Sequence, residues 1–237
     1  MSVGGVVLVL GGTSGIGLAT AKHLQENGSK VVVAGRNIRQ VDGVEAIYCD
    51  VLSESSVKNC FEIIGKLDPL VGLVYSAGIT VSKKPIDQFE ENLWLNVLST
   101  NVTGLLFSLK YAFPYLVENQ GSVVVVNSLA GRTYSKSSGV EYTASKAALG
   151  GVVRHLAMEW AKKGVRINSV YPGPVDSPML RNNLSVEDIK ALESSIPLGR
   201  LASLDELSKT IAFLLGKQNT YLTGVGFDVS GGEVLTG

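Results

Sequence analysis

Two kinds of apolar pattern alternate along this chain. Residues 5–10, 30–34, 46–49, 71–76, 123–127, 165–171 and 225–229 form short runs rich in Val, Leu and Ile, closed by Gly, Pro, Asn or Asp. A run that is apolar throughout suits a strand covered on both faces, since alternation would mark a half-wet one. Between these runs, apolar residues recur three and four apart, the period of one helical face. Leu18-Ala19-Thr20-Ala21-Lys22-His23-Leu24 opens the first such segment. Ser53 caps a second that extends to Leu67, with Glu54 in its first turn and Val57, Phe61 and Ile64 on one side; Asp68-Pro69 breaks it. A long helical region covers 89–116, contains Asn101, and is expected to kink or break at Pro114. Residues 142–163 form another helix, ended by Gly164, and 204–215 the last.

Strand and helix alternate without repeats or a linker. That predicts one α/β domain over 1–237, a Rossmann-type doubly wound parallel sheet with helices on both faces. Two places depart from even spacing. From Arg36 to the strand at 46 there is room for a helix of only a turn or two, and Asp42-Gly43 reads as a turn. Residues 176–198 are polar and bounded by prolines, which suits a lid over a site.

Composition narrows the classes of function. The chain has 237 residues, 45% of them hydrophobic, enough for a sizeable core. Its formal charge is zero and no basic block occurs, so nucleic acid and anionic membranes are not expected partners. No apolar run reaches the roughly 18 residues a membrane span needs, and the start lacks signal-peptide features. Cys49 and Cys60 read as buried free thiols, and His23 and His155 have no ligand spacing, so no metal is expected. The expected setting is the cytoplasm.

The first candidate chemistry is Gly11-Gly12-Thr13-Ser14-Gly15-Ile16-Gly17, between the first strand and the first helix. Glycines remove Cβ atoms where the chain must turn sharply and a ligand must come close. The free N–H groups and dipole of the following helix favour an anion, here a dinucleotide pyrophosphate. About 20 residues on, a dinucleotide fold places the group that reads the adenosine ribose. Residues 34–37 carry no acid; Arg36 stands there, with Arg39 nearby. A guanidinium can grip a 2′-phosphate with paired hydrogen bonds, so NADP(H) is favoured over NAD(H).

The second is at the ends of later strands. Ser128 follows the run at 123–127, where open α/β sheets bind ligands. Tyr142 and Lys146 are four apart and share one helical face. A phenol of pKa ~10 is a poor acid–base group at pH 7, and a neighbouring cation is expected to bring it down.

With Tyr142-x-x-x-Lys146 in place, the chain resembles the short-chain dehydrogenases/reductases over essentially its whole length, with 3-oxoacyl-carrier-protein reductases among the nearest patterns. Gly11, Gly15 and Gly17 match the family's cofactor turn, where Thr13, Ser14 and Ile16 also fall. Asp50-Val51 matches its adenine-contact pair and Ala77-Gly78 the end of its Asn-Asn-Ala-Gly strand. Asn101, Ser128, Tyr142 and Lys146 fall on its catalytic tetrad; Asn168-x-Val170-x-Pro172-Gly173 and Thr223-Gly224 match later signatures. The resemblance implies that Lys146 holds the nicotinamide ribose, Ser128 hydrogen-bonds the substrate oxygen, and Asn101 positions a relay water. It also places Pro172, Gly173, Val175 and Ser177 around the nicotinamide. It further implies a homo-oligomer, dimer or tetramer, pairing the helices at 89–116 and 142–163 through Leu93, Trp94, Leu98, Leu105, Phe107, Leu109, Val152, Leu156, Met158 and Trp160.

The chain departs from the family pattern in several places. Leu10 stands for the usual Thr, which removes one hydrogen bond bracing the glycine turn. Tyr75-Ser76 replaces Asn-Asn, Ser230 replaces Asp, and Ser177 replaces Thr. Ser128 precedes Tyr142 by fourteen residues, one more than the pattern, which implies an insertion in that loop. The expected activity is hydride transfer between NADP(H) and a small carbonyl or secondary alcohol. Alternatives are a catalytically silent dinucleotide-binding regulator, or an NAD-dependent sugar or polyol dehydrogenase. A sugar-nucleotide epimerase would need a larger substrate domain.

Overall fold

A computed structural model describes residues 4–38 and 43–234; Arg39 and Asp42 lie outside these. Seven strands form one sheet: β1 (Val6–Leu10), β2 (Lys30–Gly35), β3 (Glu45–Tyr48), β4 (Leu70–Tyr75), β5 (Ser122–Val126), β6 (Arg166–Pro172) and β7 (Gly226–Val229). Their order is β3-β2-β1-β4-β5-β6-β7, and every pairing is parallel. The order reverses beside β1, so a crevice opens between the carboxyl ends of β1 and β4, the place where such sheets bind ligands.

The apolar runs are strands because both faces are covered. Val6, Leu8 and Leu10 point to one core with Val57, Phe61, Leu105 and Leu149. Val7 and Val9 point to the other with Ala21, Leu24, Ile211 and Leu214. The first core belongs to α2 (Glu54–Leu67), α4 (Gly104–Asn119) and α5 (Val140–Trp160), the second to α1 (Gly15–Glu26) and α8 (Leu204–Leu215). Ser53 caps α2 by accepting from the Ser56 amide, as its sequence position predicts. Cys49 and Cys60 are buried and free.

The expected break at Pro114 is corrected. The long helical region is not interrupted at Pro114; α4 runs through it to Asn119, because Leu109, Ala112 and Leu116 hold both sides of the proline against the sheet. The irregularity falls earlier, at a π-helical turn, Ser99–Thr103, between α3 (Glu91–Leu98) and α4. The 176–198 segment carries two short helices, α6 (Pro178–Asn183) and α7 (Val186–Ser195). The short connection between β2 and β3 shows no helix among its described residues.

Candidate active site

The glycine turn owes its shape to close approach. Gly11 has φ +78, and a methyl there would lie 2.5 Å from the amide nitrogen of Ala77. A methyl on Gly17 would lie 2.3 Å from the Gly11 carbonyl oxygen, so α1 can pack on the turn only through glycine. Gly15 differs. Its φ is +51, yet nothing stands within 4 Å of where its Cβ would point. The backbone conformation thus faces open space rather than protein. Ser14 caps α1 without a side-chain hydrogen bond, and no acid lies in the first turn. An uncapped helix start of this kind offers free N–H donors to an anion. Thr13 packs beside Gly35, at the end of β2. Backbone bonds tie the turn to its neighbours: Gly11 donates to the Ala34 carbonyl at 2.8 Å and Ser76 to the Leu10 carbonyl at 2.8 Å. Arg36, just past β2, is exposed and hydrogen-bonds nothing among the described residues. These features fit a dinucleotide laid along the carboxyl edge of the sheet.

Asp50 and Val51 lie past β3. The Asp50 carboxylate accepts from the Leu52 amide at 3.1 Å, while Val51 packs beside Gly104 of α4. Gly78 comes next to the centre of the site: a methyl there would meet the Asn101 amide oxygen at 3.2 Å and the Lys146 ammonium at 3.8 Å.

The π-turn and α5 converge here. Asn101 is fully buried. Its Oδ1 accepts from the Ile79 amide at 2.8 Å, and its Nδ2 donates to the Ile79 carbonyl at 3.0 Å and to Ser145 Oγ at 2.9 Å. Asn101 therefore clamps the chain leaving β4 rather than capping a helix. Lys146 is 6% exposed, and its Nζ donates to the Val126 carbonyl at 3.0 Å. Burial pulls this ammonium down to about 8, which still leaves it charged at pH 7.

The phenol departs from expectation. Lys146 Nζ is 5.6 Å from the Tyr142 ring centroid, and burial pushes the Tyr142 phenol up from its ordinary value. Only the Ser128 hydroxyl, as a donor to the phenolate, pulls the other way. The expected lowering by Lys146 is absent because the ammonium is turned to the β5 carbonyl instead. Ser128 Oγ also accepts from the Ala130 amide at 3.1 Å. Ser128, Tyr142 and Lys146 thus meet at the carboxyl end of β5.

Pro172 ends β6 and Gly173 follows it; Val175 is held by a parallel bridge to Ala202. The Ser177 hydroxyl accepts from the Leu180 amide and caps α6, so it is engaged rather than free.

Three participants were given no role from sequence. Ser145 links Asn101 to the first turn of α5, accepting from Asn101 and donating to the Tyr142 carbonyl at 2.8 Å. Asn127 holds the Ser128 amide through its Oδ1 at 2.9 Å, while its buried Nδ2 has no partner among the described residues. Tyr75, in place of an Asn, is buried and donates to the Thr100 carbonyl at 2.8 Å, bracing the π-turn. Polar residues inside apolar elements were the available signal for all three.

Fold and site together define a doubly wound dinucleotide-binding protein. Comparison with known proteins is more specific. A family model described as enoyl-(acyl carrier protein) reductase matches residues 11–233. Glucose 1-dehydrogenase of Gluconobacter oxydans is 33% identical over 98% of this chain and 92% of its own length. A 2-dehydro-3-deoxy-L-rhamnonate dehydrogenase (NAD(+)) of Sphingomonas is 30% identical over 97% of this chain and 95% of its own. The solved aldohexose dehydrogenase of Thermoplasma acidophilum superposes with a TM-score of 0.91 at 27% identity, covering 96% of this chain and 93% of that one. The chain belongs to the short-chain dehydrogenase/reductase family, whose members are oxidoreductases that use a nicotinamide dinucleotide.

Proposed function

We propose that this protein transfers a hydride between NADP(H) and a small carbonyl or secondary alcohol, with Tyr142 moving the proton. The observation that carries this reading is the meeting of Ser128, Tyr142 and buried Lys146 at the end of β5. When bound, the nicotinamide supplies the hydride acceptor or donor.

The residues divide the remaining work. Gly11, Thr13, Ser14, Gly15, Ile16 and Gly17 would hold the pyrophosphate at the start of α1. Arg36 would take the 2′-phosphate, and Asp50 and Val51 the adenine. Ala77 and Gly78 would leave room beside Asn101 for the ribose next to nicotinamide. Pro172, Gly173, Val175 and Ser177 would border the nicotinamide. Ser128 Oγ would donate to the substrate oxygen, and Tyr142 would give its proton to that oxygen in reduction or take it in oxidation. A phenol raised by burial is protonated at neutral pH, as a proton donor must be. Lys146, held at the end of β5 by the Val126 carbonyl, would bind the ribose hydroxyls. Asn101 would position the water through which that proton is replaced. Residues 176–198 would close over the substrate, and the functional particle would be a homo-oligomer.

Nicotinamide absorbance, followed with a panel of alcohols and carbonyls and each cofactor, tests the reading. Turnover that is faster with NADP(H) supports it. No turnover of any compound with either cofactor refutes it.

A further inference from the structure

The turn that carries Ser128 is too short to hold itself in place. Ser128 opens a single 3-10 turn, Leu129–Gly131. Gly131 closes it by donating to the Ser128 carbonyl at 2.9 Å, and Arg132 by donating to the Leu129 carbonyl at 2.8 Å. Such turns have poor hydrogen-bond geometry and take their position from what surrounds them. On one side the turn lies on α5: a methyl on Gly131 would be 2.6 Å from the Lys146 carbonyl oxygen. On the other it is anchored by the Arg132 side chain.

That anchor has three points. Arg132 Nε donates to Asp228 Oδ1 at 3.1 Å and Nη2 to the Gly226 carbonyl at 3.0 Å, both on β7. The guanidinium carbon lies 3.9 Å from the centroid of the Tyr171 ring, on β6. The Arg132 and Asp228 side chains are 25% and 14% exposed, so salt screens the pair less than it would a surface one. Glycines make room for the stack on both sides. A methyl on Gly226 would fall 2.4 Å from Tyr171 Cε2 and 2.6 Å from Arg132 Nη2. A methyl on Gly150 would fall 2.6 Å from the Tyr171 hydroxyl oxygen, and Gly150 lies one helical turn beyond Lys146 on α5. The stack thus reaches from β7 to the helix that carries Tyr142 and Lys146, and the Ser128 turn is attached to it through the Arg132 backbone.

Resting on the reductase reading above, we propose that Arg132 is a positioning residue for Ser128, holding its hydroxyl in reach of the Tyr142 phenol through the anchor on Asp228, Gly226 and Tyr171. A charge-assisted bond, a second donor and a stacked ring together restrain the guanidinium plane, which a lysine ammonium could not match. The Ser128 oxygen already accepts from the Ala130 amide, which leaves its own proton to donate, and that donation pulls the phenol down. A turn that drifts loses this donation. A misplacement of about 1 Å in a reacting geometry can cost on the order of 10²-fold in rate.

A double-mutant cycle on cyclohexanol oxidation, or on the best-used alcohol of the panel, tests this at saturating cofactor. Arg132→Met should lower kcat about tenfold to hundredfold while the Kd of the reduced cofactor, from fluorescence titration, stays unchanged. In a Ser128→Ala background the same substitution should change kcat by less than about twofold, because the group it places is gone. The pH midpoint of alcohol oxidation should move up in Arg132→Met, since the phenol loses its donor. Asp228→Asn keeps the Gly226 bond and the ring contact, so it should give the same signatures at smaller size. It decides the matter if thermal melts show Arg132→Met unfolded. If Ser128→Ala has no measurable turnover, the pH midpoint alone decides. Equal losses with and without the Ser128 hydroxyl, or an unmoved pH midpoint, overturn the proposal and leave Arg132 an anchor of the fold alone. Absence of wild-type turnover with every compound removes the reductase reading itself, and this inference with it.

Discussion

The Lys146 ammonium donates to the Val126 carbonyl at 3.0 Å, joining α5 to the last residue of β5. No carboxylate forms an ion pair with it among the described residues, although it is almost fully buried. Such a charge is kept at a cost in stability, because burial favours the neutral amine. What the arrangement gains is a cation beneath the point where β5, the phenol and the ribose of a dinucleotide would meet.

The cost has a pH signature. Unfolded, Lys146 titrates near 10.5; folded, near 8. Between these values the unfolded chain binds more protons, so stability rises with pH. The gain should approach on the order of 3 kcal/mol by pH 10.5. Urea unfolding of wild type and Lys146→Met at pH 7.5, 9 and 10.5 reads this directly. Wild type should gain relative to the variant across that window. A constant difference would mean that the ammonium is not destabilised by burial.

Tyr142→Phe removes only a hydroxyl, so fold and cofactor binding should survive. Turnover should drop at least 10²–10⁴-fold, the usual range for a general acid–base group. Because burial raises the phenol, carbonyl reduction by wild type should stay level through neutral pH and fall only in the alkaline range. Alcohol oxidation, which needs the proton taken away, should rise with pH instead. Near-normal turnover by Tyr142→Phe would require another proton donor.

Arg36→Ala should weaken NADP(H) binding by about 1–3 kcal/mol, a charge-assisted hydrogen bond's range, and leave NAD(H) nearly unchanged. Fluorescence titration of both reduced cofactors measures it. Equal effects on the two would assign the 2′-phosphate to another residue.

Much of this was readable in advance, for physical reasons. The apolar runs announced the strands because a parallel sheet is buried on both sides, and Ser53 announced α2 because an orphan amide needs an acceptor. Ser128, Tyr142 and Lys146 were legible because strand end and helical spacing bring them together. The π-turn was not, since an extra residue in a helix leaves the apolar period nearly intact and Pro114 offered a louder signal. Nor was the direction of the Tyr142 shift. Spacing places Lys146 near the ring, but the Val126 carbonyl decides where its charge points.

The apolar positions proposed for pairing separate in the structure. Leu105, Leu109 and Trp160 are buried within the chain, Trp160 against Phe113 with ring centroids 4.7 Å apart. They cannot form an interface. Leu93, Trp94, Leu98, Phe107, Val152 and Leu156 remain partly exposed, and Met158 is 82% exposed. A self-pairing face should therefore be broken by Leu156→Lys with Met158→Lys, without loss of fold. Light scattering should show a halved mass with an unchanged far-ultraviolet spectrum. A monomeric wild type at micromolar concentration would rule the face out.

Asn101 provides the sharpest distinction between a structural and a chemical role. Its amide makes three hydrogen bonds, two to Ile79 and one to Ser145, all in the interior. Asn101→Ala leaves the Ile79 amide and carbonyl without their partner, and each orphaned group costs about 1–3 kcal/mol. Ser145→Ala removes one of the three bonds and leaves the Ile79 clamp intact, so it should cost about 1 kcal/mol. Asn101→Asp is the informative case. Its carboxylate can still accept from the Ile79 amide but cannot donate to the Ile79 carbonyl, and it puts a negative charge near Lys146. Stability should fall for Asp as for Ala, while the Lys146 ammonium, now facing an anion, should titrate higher. The pH window over which stability rises, set by Lys146, should shift upward in Asp alone. If Asp and Ala show the same pH profile, the Asn101 side chain does not couple to Lys146, and its part in the site is confined to holding the chain that leaves β4.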